Sequence, residues 1–434
     1  MIINSADYDI DTTGRTLVTE KLQELIDLAA RKCGTLKLGR GIYLTAPLFL
    51  RSNMNLVMDS DTVLLGTTDE SVIGCIDTRV AGIEMEWYPG VLNINNASHV
   101  TVSGGKIDGQ GEYWWKKYWG SDCRGGMRKE YDEKGLRWAC DYDCMRVRNL
   151  LVYDSTDISI SNLTSVNSGF WNVHICYCSN VKLSGIHIIS GSSNSPSTDG
   201  IDIDSSCNVI IEKCVTDCND DSICIKSGRD QDGLRVGKPS KDILIKDCTI
   251  NRGFGITIGS EVSGGIENIT IRDIHFNGTD CGFRIKSSRV RQGYIKNVDF
   301  SNITMVNVKY PVHICLDWNK AYCQCELPQG YSGGIPAHWE KLLQRSAKEK
   351  LTIVEGINIS HLKAGYTDEC EYVTRAFNIE GYVNQPVRGI TMQDVSIRSH
   401  EYGRVSCVEH LVMDNVTIDA AGEHCSDNDE YDNR

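Results

Sequence analysis

Three aspartates in one short stretch carry the most pointed chemistry in this sequence. From Ser197 to Lys226 the chain reads STDGIDIDSSCNVIIEKCVTDCNDDSICIK, placing Asp199, Asp220 and Asp221 among residues that alternate as strands do. Carboxyl groups held close together titrate apart: one is pushed toward its neutral form while the others stay ionised, so one residue type yields both an acid and a base. Consecutive strand residues face opposite ways, so Asp220 and Asp221 can share a cleft only at a bend or strand end, and Asn219 marks such a bend. A lone aspartate in a turn more often caps the loop or meets solvent. Three at one phase, followed by a basic run, point instead to acid–base catalysis. That run holds Lys226, Arg229, Arg235, Lys238, Arg252, Arg284, Lys286, Arg289 and Arg291, within a chain of formal charge −13. The overall negative charge repels polyanions at long range and excludes nucleic acid as a partner, so an acidic substrate needs this local basic pocket.

The elements that must position these residues are repeats. An Asn/Asp-apolar-x-apolar unit recurs as Asp157-Ile158-Ser159-Ile160, Asn180-Val181-Lys182-Leu183, Asn208-Val209-Ile210-Ile211, Asp242-Ile243-Leu244-Ile245, Asn268-Ile269-Thr270-Ile271 and Asn297-Val298-Asp299-Phe300. Gly356-Ile357-Asn358-Ile359 and Gly389-Ile390-Thr391-Met392 continue it. Copies about 20 to 35 residues apart match one coil of a solenoid. Period-two alternation ending at Gly, Asn or Asp reads as short strands joined by tight turns, and no helix-length pattern separates them. The expected fold is therefore all-β: a parallel β-helix, with residues 1–434 as one domain. The recurring Asn or Asp at one phase can bond its own backbone and its equivalent one coil away. This also explains matches such as Asn268-Ile269-Thr270 without glycosylation. Asp199 and Asp220, about one coil apart, are expected to stack on the same face.

A solenoid needs covered ends, and residues 18–32 show apolar residues at helical spacing with Gly34 as a stop, predicting a short N-terminal capping helix. Two interruptions, 113–149 and 318–350, read as long loop insertions near the cleft, where function concentrates. The first carries Trp114, Trp115, Trp119 and Trp138 among basic residues. Aromatic faces stack on sugar rings and basic groups hold uronates, so about half of these tryptophans are expected at the cleft and half as anchors. Nineteen cysteines are an odd number in a long chain. Many lie in strand-like runs, among them Cys207, Cys214, Cys224, Cys248 and Cys281, and read as free thiols packed as small hydrophobes. Pairs such as Cys176/Cys178, Cys323/Cys325, Cys140/Cys144 and Cys214/Cys218 lack the second pair or the histidines of a zinc site. The free thiols and an N-terminus without a leader pattern favour the cytoplasm; the alternative is a secreted or periplasmic protein whose signal was removed. No run is long enough to cross a bilayer, so no membrane partner is expected. Composition points to disorder only in the acidic end from Glu423 to Arg434.

Four motifs in order resemble glycoside hydrolase family 28, the polygalacturonases and their relatives, directly over residues of about 90 to 320. The family's N-T-D-G, D-D, G-H-G and R-I-K correspond to Ser197-Thr198-Asp199-Gly200, Asp220-Asp221, Gly253-Phe254-Gly255 and Arg284-Ile285-Lys286. The resemblance implies a right-handed β-helix and an inverting hydrolase of α-linked galacturonic acid, with a pectic oligo- or polysaccharide as partner. It needs neither metal nor cofactor. Asp220 becomes the general acid, while Asp199 and Asp221 hold and deprotonate the attacking water. Inverting carboxyl pairs generally stand about 6.5 to 9.5 Å apart, which leaves room for that water. Arg284 and Lys286, two apart on a strand, would grip a uronate carboxylate. Lys226 joins them as a substrate residue, and Trp318, where the family usually has a tyrosine, would stack on the sugar.

Two departures from the pattern bear on substrate. Ser197 replaces an asparagine with another small hydrogen-bonding residue. Phe254 replaces the G-H-G histidine and can bond neither the acid nor a sugar hydroxyl. Relatives acting on rhamnogalacturonan also lack that histidine, and the methyl group of rhamnose suits Phe254. The stretch from Lys226-Ser227-Gly228-Arg229 to Ser240, together with Gly259-Ser260-Glu261, resembles the exo-acting branch. Competing readings are an exo-galacturonidase on homogalacturonan oligosaccharides and a non-catalytic carbohydrate-binding β-helix. A pectate lyase is a further one, whose chemistry usually wants calcium and an arginine base.

Overall fold

The computed structural model describes residues 1–191, 194–344 and 350–420. Residues 345–349 of the second insertion and the acidic end lie outside the described residues. Strands of successive coils pair in parallel throughout, building one sheet of 19 strands and another of 11. The 11-stranded sheet positions the site. Its central members are Val173–Cys176, Ile201–Asp204, Ile223–Lys226, Ile256–Ile258, Cys281–Lys286 and Tyr310–Cys315. Their register places Ile201 beside Ile223, Ile223 beside Ile256, and Ile256 beside Phe283. These residues point inward and are fully buried. Alternation then turns Asp202, Cys224, Thr257, Arg284 and His313 outward in one row, because consecutive side chains leave a strand on opposite faces.

The repeated Asn or Asp does more than end a strand. Asp242, Asn268 and Asn297 lie within the continuous strands Ser240–Asn251, Ile266–Asn277 and Tyr294–Val306, each with φ of 55 to 58°. Asn and Asp tolerate this left-handed conformation better than other side chains, so the coil turns a corner without breaking its hydrogen-bond ladder. The side chains then join one coil to the next: Asn268 donates to Asp242 at 3.0 Å and Asn297 to Asn268 at 3.2 Å.

The capping helix spans Thr19–Arg31 and buries Leu22, Leu25, Ile26 and Ala29 against the first coils. The insertion at 113–149, expected as a loop, is largely helical, with helices Gly111–Trp119, Gly126–Glu133 and Arg137–Asp143. The described part of 318–350 adds Lys320–Cys323 and Ala337–Leu343. An antiparallel hairpin, Ile76–Val80 and Ile83–Trp87, joins them on the outer face of the 11-stranded sheet. Val80, Ile83, Trp87, Trp138, Phe170 and Trp339 there form a second apolar core outside the coil. Trp138 is buried in this second core and Trp114 in the core of the coil, and Trp115 is buried too; the indole N–H groups of Trp114, Trp115 and Trp138 donate to the carbonyls of Gly109, Ser168 and Glu326, respectively. These three anchor the insertion rather than face a ligand. All cysteines of the described residues are free, and Cys214, Cys224, Cys248 and Cys281 are buried as expected while Cys207 is half-buried.

The coil core sets a stability test. Ile258→Ala should lower the unfolding free energy by about 2–5 kcal/mol, measured as a shift in the urea midpoint. Ile210→Ala, at a position 36% exposed, should shift it far less.

Candidate active site

The three sequence-predicted aspartates meet at the N-terminal edge of the 11-stranded sheet. Asp199 stands two residues before Ile201–Asp204, and Asp221 two residues before Ile223–Lys226. Because Ile201 pairs with Ile223, Asp199 is level with Asp221; Asp220, expected to stack on Asp199, lies one residue further back. The chain bends at Asn219–Asp220, so Asp220 and Asp221 serve the same cleft despite being consecutive. One carboxylate oxygen from each of the three residues lies within 4.8 Å of the others. This is tighter than the spacing expected for an inverting pair, because one pair comes from neighbouring coils and the other from neighbouring residues.

Their surroundings differ sharply. Asp221 has no exposed surface. Its Oδ1 accepts from Thr257 Oγ1 at 2.8 Å and lies 3.6 Å from Arg284, while its Oδ2 meets Lys286 Nζ at 2.6 Å and accepts from Cys224 Sγ at 3.4 Å. Burial opposes its ionisation, but Lys286, Arg284 and Lys226 outweigh burial and hold the carboxyl well below the usual range. Asp220 is half-buried, and burial together with the Asp221 charge pushes its pKa up. Asp199 is also raised, by burial and by the charges of Asp220 and Asp202, with Lys226 opposing. The cluster thus contains a firmly held anion beside two groups that retain protons more readily.

The basic residues sort by partner. Lys286 is committed to Asp221. Lys226, expected to touch substrate, is buried instead among Asp199, Asp202 and Glu261, with the Trp171 ring 4.7 Å from its Nζ. Arg284 pairs through Nη1 with Asp221 at 3.6 Å, and its buried Nε and Nη1 make no hydrogen bond among the described residues. Its guanidinium carbon sits 5.2 Å from the Phe254 ring centroid and 5.8 Å from that of Trp318. Lys286 Nζ is 4.4 Å from the Trp318 ring. Phe254 and Trp318 therefore do belong to the site. Ser197 accepts from Arg146, which also bonds the Pro196 carbonyl and is stacked between Tyr118 and Phe170.

Asp202, Thr257 and Trp171 were missed by sequence reasoning. Asp202 and Thr257 were legible in principle, as polar residues at outward phase on strands that begin beside the catalytic aspartates. Carboxylates so close would also suit a cation, but Lys286 and Lys226 already supply positive charge to the cluster. Arg79 and Arg148 do the same beside His174, Cys176 and Asp204.

The hairpin covers the coils before Asp199. Arg79 binds Asp204 at 3.0 Å, Trp87 donates to the Arg146 carbonyl, and His174 and Cys176 are fully buried beneath. Helix Asp230–Val236 closes against the same hairpin, with Glu84 N donating to Asp232 and Arg229 N to the Gly82 carbonyl. On the opposite side Trp318 is half-buried and Arg289 and Arg404 are exposed. The hairpin and helix Asp230–Val236 thus stand as a wall on the side of the earlier coils.

Against known proteins, residues 76–336 match the model of glycosyl hydrolases family 28. The chain belongs to that family. A probable polygalacturonase of Vitis vinifera is 30% identical over 397 residues, covering 88% of this chain and 72% of that protein. A polygalacturonase of Prunus persica is 31% identical over 252 residues, and the match covers 56% of this chain and 55% of that protein. Among solved structures, an exopolygalacturonase from Thermotoga maritima superposes with TM-score 0.78 at 27% identity, covering 96% of this chain and 92% of that one. A family 28 exopolygalacturonase from Yersinia enterocolitica gives 0.69 at 18% identity, covering 97% and 79%; at that identity it speaks for the fold alone. The chain is thus a right-handed β-helix and a polygalacturonase-like glycosidase.

The Asp221–Lys286 pair can be tested without substrate. Lys286→Met leaves a buried anion unpaired, which should cost about 3–5 kcal/mol at neutral pH. Asp221 is held below its unfolded value, so the pair stabilises above the ordinary carboxylate range and the benefit is lost as pH falls. The melting-temperature gap between wild type and Lys286→Met should therefore hold from pH 7 to about pH 5 and narrow only below that.

Proposed function

We propose that this chain hydrolyses α-linked galacturonic acid in pectic polysaccharide, acting from the chain end with inversion. The observation that carries this reading is the Asp199, Asp220 and Asp221 cluster beside Arg284, with the hairpin over the coils before it. Asp220, the most accessible of the three and shifted toward its neutral form, is the general acid that protonates the glycosidic oxygen. Asp199 and Asp221 hold the attacking water between them. The short carboxyl spacing alone does not dictate inversion, because retaining pairs stand about 5–5.5 Å apart. The argument against a covalent intermediate is that both Asp221 oxygens are engaged and buried, and Asp199 is held by Lys226, so neither is a free nucleophile. The Arg284 guanidinium, beside Asp221, Phe254 and Trp318, suits a uronate carboxylate.

The hairpin and inserted helices leave room for a terminal sugar on the closed side, with the remaining polymer leaving toward Arg289 and Arg404. The likeness to a Thermotoga exopolygalacturonase supports chain-end action. Phe254 favours a leaving sugar with an apolar face, so rhamnogalacturonan-type oligosaccharides are the preferred substrates. Plain homogalacturonan oligosaccharides are the second reading, favoured by the polygalacturonase relatives.

Product analysis on defined galacturonan and rhamnogalacturonan oligosaccharides separates these. Release of one terminal sugar at a time, with the inverted anomer seen first by proton NMR, is expected. An ultraviolet-absorbing unsaturated product would refute hydrolysis. Asp220→Asn should lower kcat by about 10²–10⁴-fold. Phe254→His restores a polar donor at the leaving side and should shift the preference toward homogalacturonan about tenfold, read as a ratio of kcat/KM values.

A further inference from the structure

Behind Asp199 lies a second carboxyl group that the proposed chemistry does not touch. Asp202 faces outward on Ile201–Asp204, between His174 on one neighbouring strand and Cys224 on the other, and has no exposed surface. The Lys226 ammonium stands 3.3 Å from Asp199 Oδ2, 3.3 Å from Asp202 Oδ1 and 3.7 Å from Glu261 Oε2. Its distance to the two aspartates is equal, yet only the approach to Asp199 has hydrogen-bond geometry. Neither oxygen of Asp202 has a hydrogen-bond partner among the described residues. Glu261, by contrast, accepts from Tyr322 and Ser260 at 3.0 and 3.2 Å, and has Arg291 and Arg229 nearby.

Among the described residues no other cation forms an ion pair with Asp202. His174 is kept neutral, chiefly by burial, with a pKa of about 4, and the Arg148 beyond it spends its donors on His174 Nδ1, Thr78 and the carbonyls of Arg79 and Tyr88. The remaining charged neighbours, Asp220 and Asp221, are themselves acidic. An ionised carboxylate buried without hydrogen bonds is strongly disfavoured unless it is paired, and here the one shared ammonium is turned elsewhere.

We propose that Asp202 is a positioning residue for the hydrolysis: as a neutral acid it cedes the Lys226 ammonium to Asp199, and so keeps Asp199 the anion that receives a proton from the attacking water. This rests on the reading of Asp199 given above. In the reaction the water O–H bond breaks, its proton passes to Asp199 and its oxygen to the anomeric carbon, while the Asp220 proton goes to the leaving oxygen. Asp202 exchanges nothing. Burial foremost, opposed by Lys226 and reinforced by the charges of Asp221 and Asp220, raises its pKa to about 8; Asp199 is raised as well, and because an ionised Asp202 is one of the charges that raise it, a proton on Asp202 favours the ionised form of Asp199. Above the Asp202 pKa a second anion competes for Lys226, and turnover falls.

The test compares wild type with Asp202→Asn, an isostere of the neutral acid. An acid whose folded pKa is raised destabilises the fold only as pH climbs above its unfolded value, and the effect levels off above its folded pKa. The two proteins should melt together at pH 4, and Asp202→Asn should melt several degrees higher at pH 9. In wild type alone, an infrared carboxylic-acid C=O band absent from the variant should bleach between pH 7 and pH 9, a readout that needs no folded mutant beyond the difference control. On pectic oligosaccharide, Asp202→Asn should keep KM, hold kcat at pH 5.5 within threefold, and move the alkaline fall in kcat upward by at least one pH unit. A wild type that melts higher than the variant at pH 9, or a kcat as low as that of Asp199→Asn at every pH, overturns the proposal. Should wild type not cleave pectic oligosaccharides at all, the functional reading fails, while the melting and infrared comparisons still decide the state of Asp202.

Discussion

Parallel, in-register stacking of coils is the constraint from which the rest of this molecule follows. Residues at one phase of successive coils are held about 4.8 Å apart, whatever their chemistry. Along the inward phases this stacks isoleucine on isoleucine, as with Ile201, Ile223 and Ile256. Along the outward phases it stacks charge on charge, and Asp199 is brought level with Asp221 with no freedom to separate. The electrostatics of the site are a consequence: like charges that cannot move apart must share cations or keep protons. Lys286 and Arg284 settle this for Asp221, and Lys226 settles it for Asp199 at the expense of Asp202.

The coil itself was legible because its signal is periodic and local. Alternation every second residue and a recurring Asn or Asp each follow from backbone geometry that any coil must satisfy. The same holds for the cap, expected at 18–32 and found at Thr19–Arg31. The meeting of the three aspartates was legible because carboxylates at strand phase contradict the alternation around them. Stacking order was not, since a separation of about one coil does not fix register to the residue; Asp199 meets Asp221 in register only because bond pairing begins at Ile201 and Ile223.

What the sequence concealed were partnerships across long separations. Nothing near Lys226 in the chain announces that Asp202 and Glu261 would surround it, and nothing in residues 76–87 marks a hairpin that lies over strands up to Asp204. The tryptophans of 113–149 read equally well as sugar platforms or as anchors, because an amphipathic indole serves both. The role of Trp138 was decided by a second apolar core built from segments far apart in the chain, among them Trp87 and Trp339, and that of Trp114 by the core of the coil.

That second core has a consequence for how the molecule acquires its working state. The coil is knitted from contacts between neighbours in sequence and can grow turn by turn, whereas the wall of the cleft joins pieces separated by up to 257 residues, as in the Lys341–Glu84 contact. Closing such long loops is slow, and structure built on them forms late. The wall is therefore the last part to assemble, so an intact solenoid can stand before the hairpin and the inserted helices have closed over its face. In that state the protein would already be folded by any measure of its strands, yet the side of the aspartate cluster toward the earlier coils would still stand uncovered.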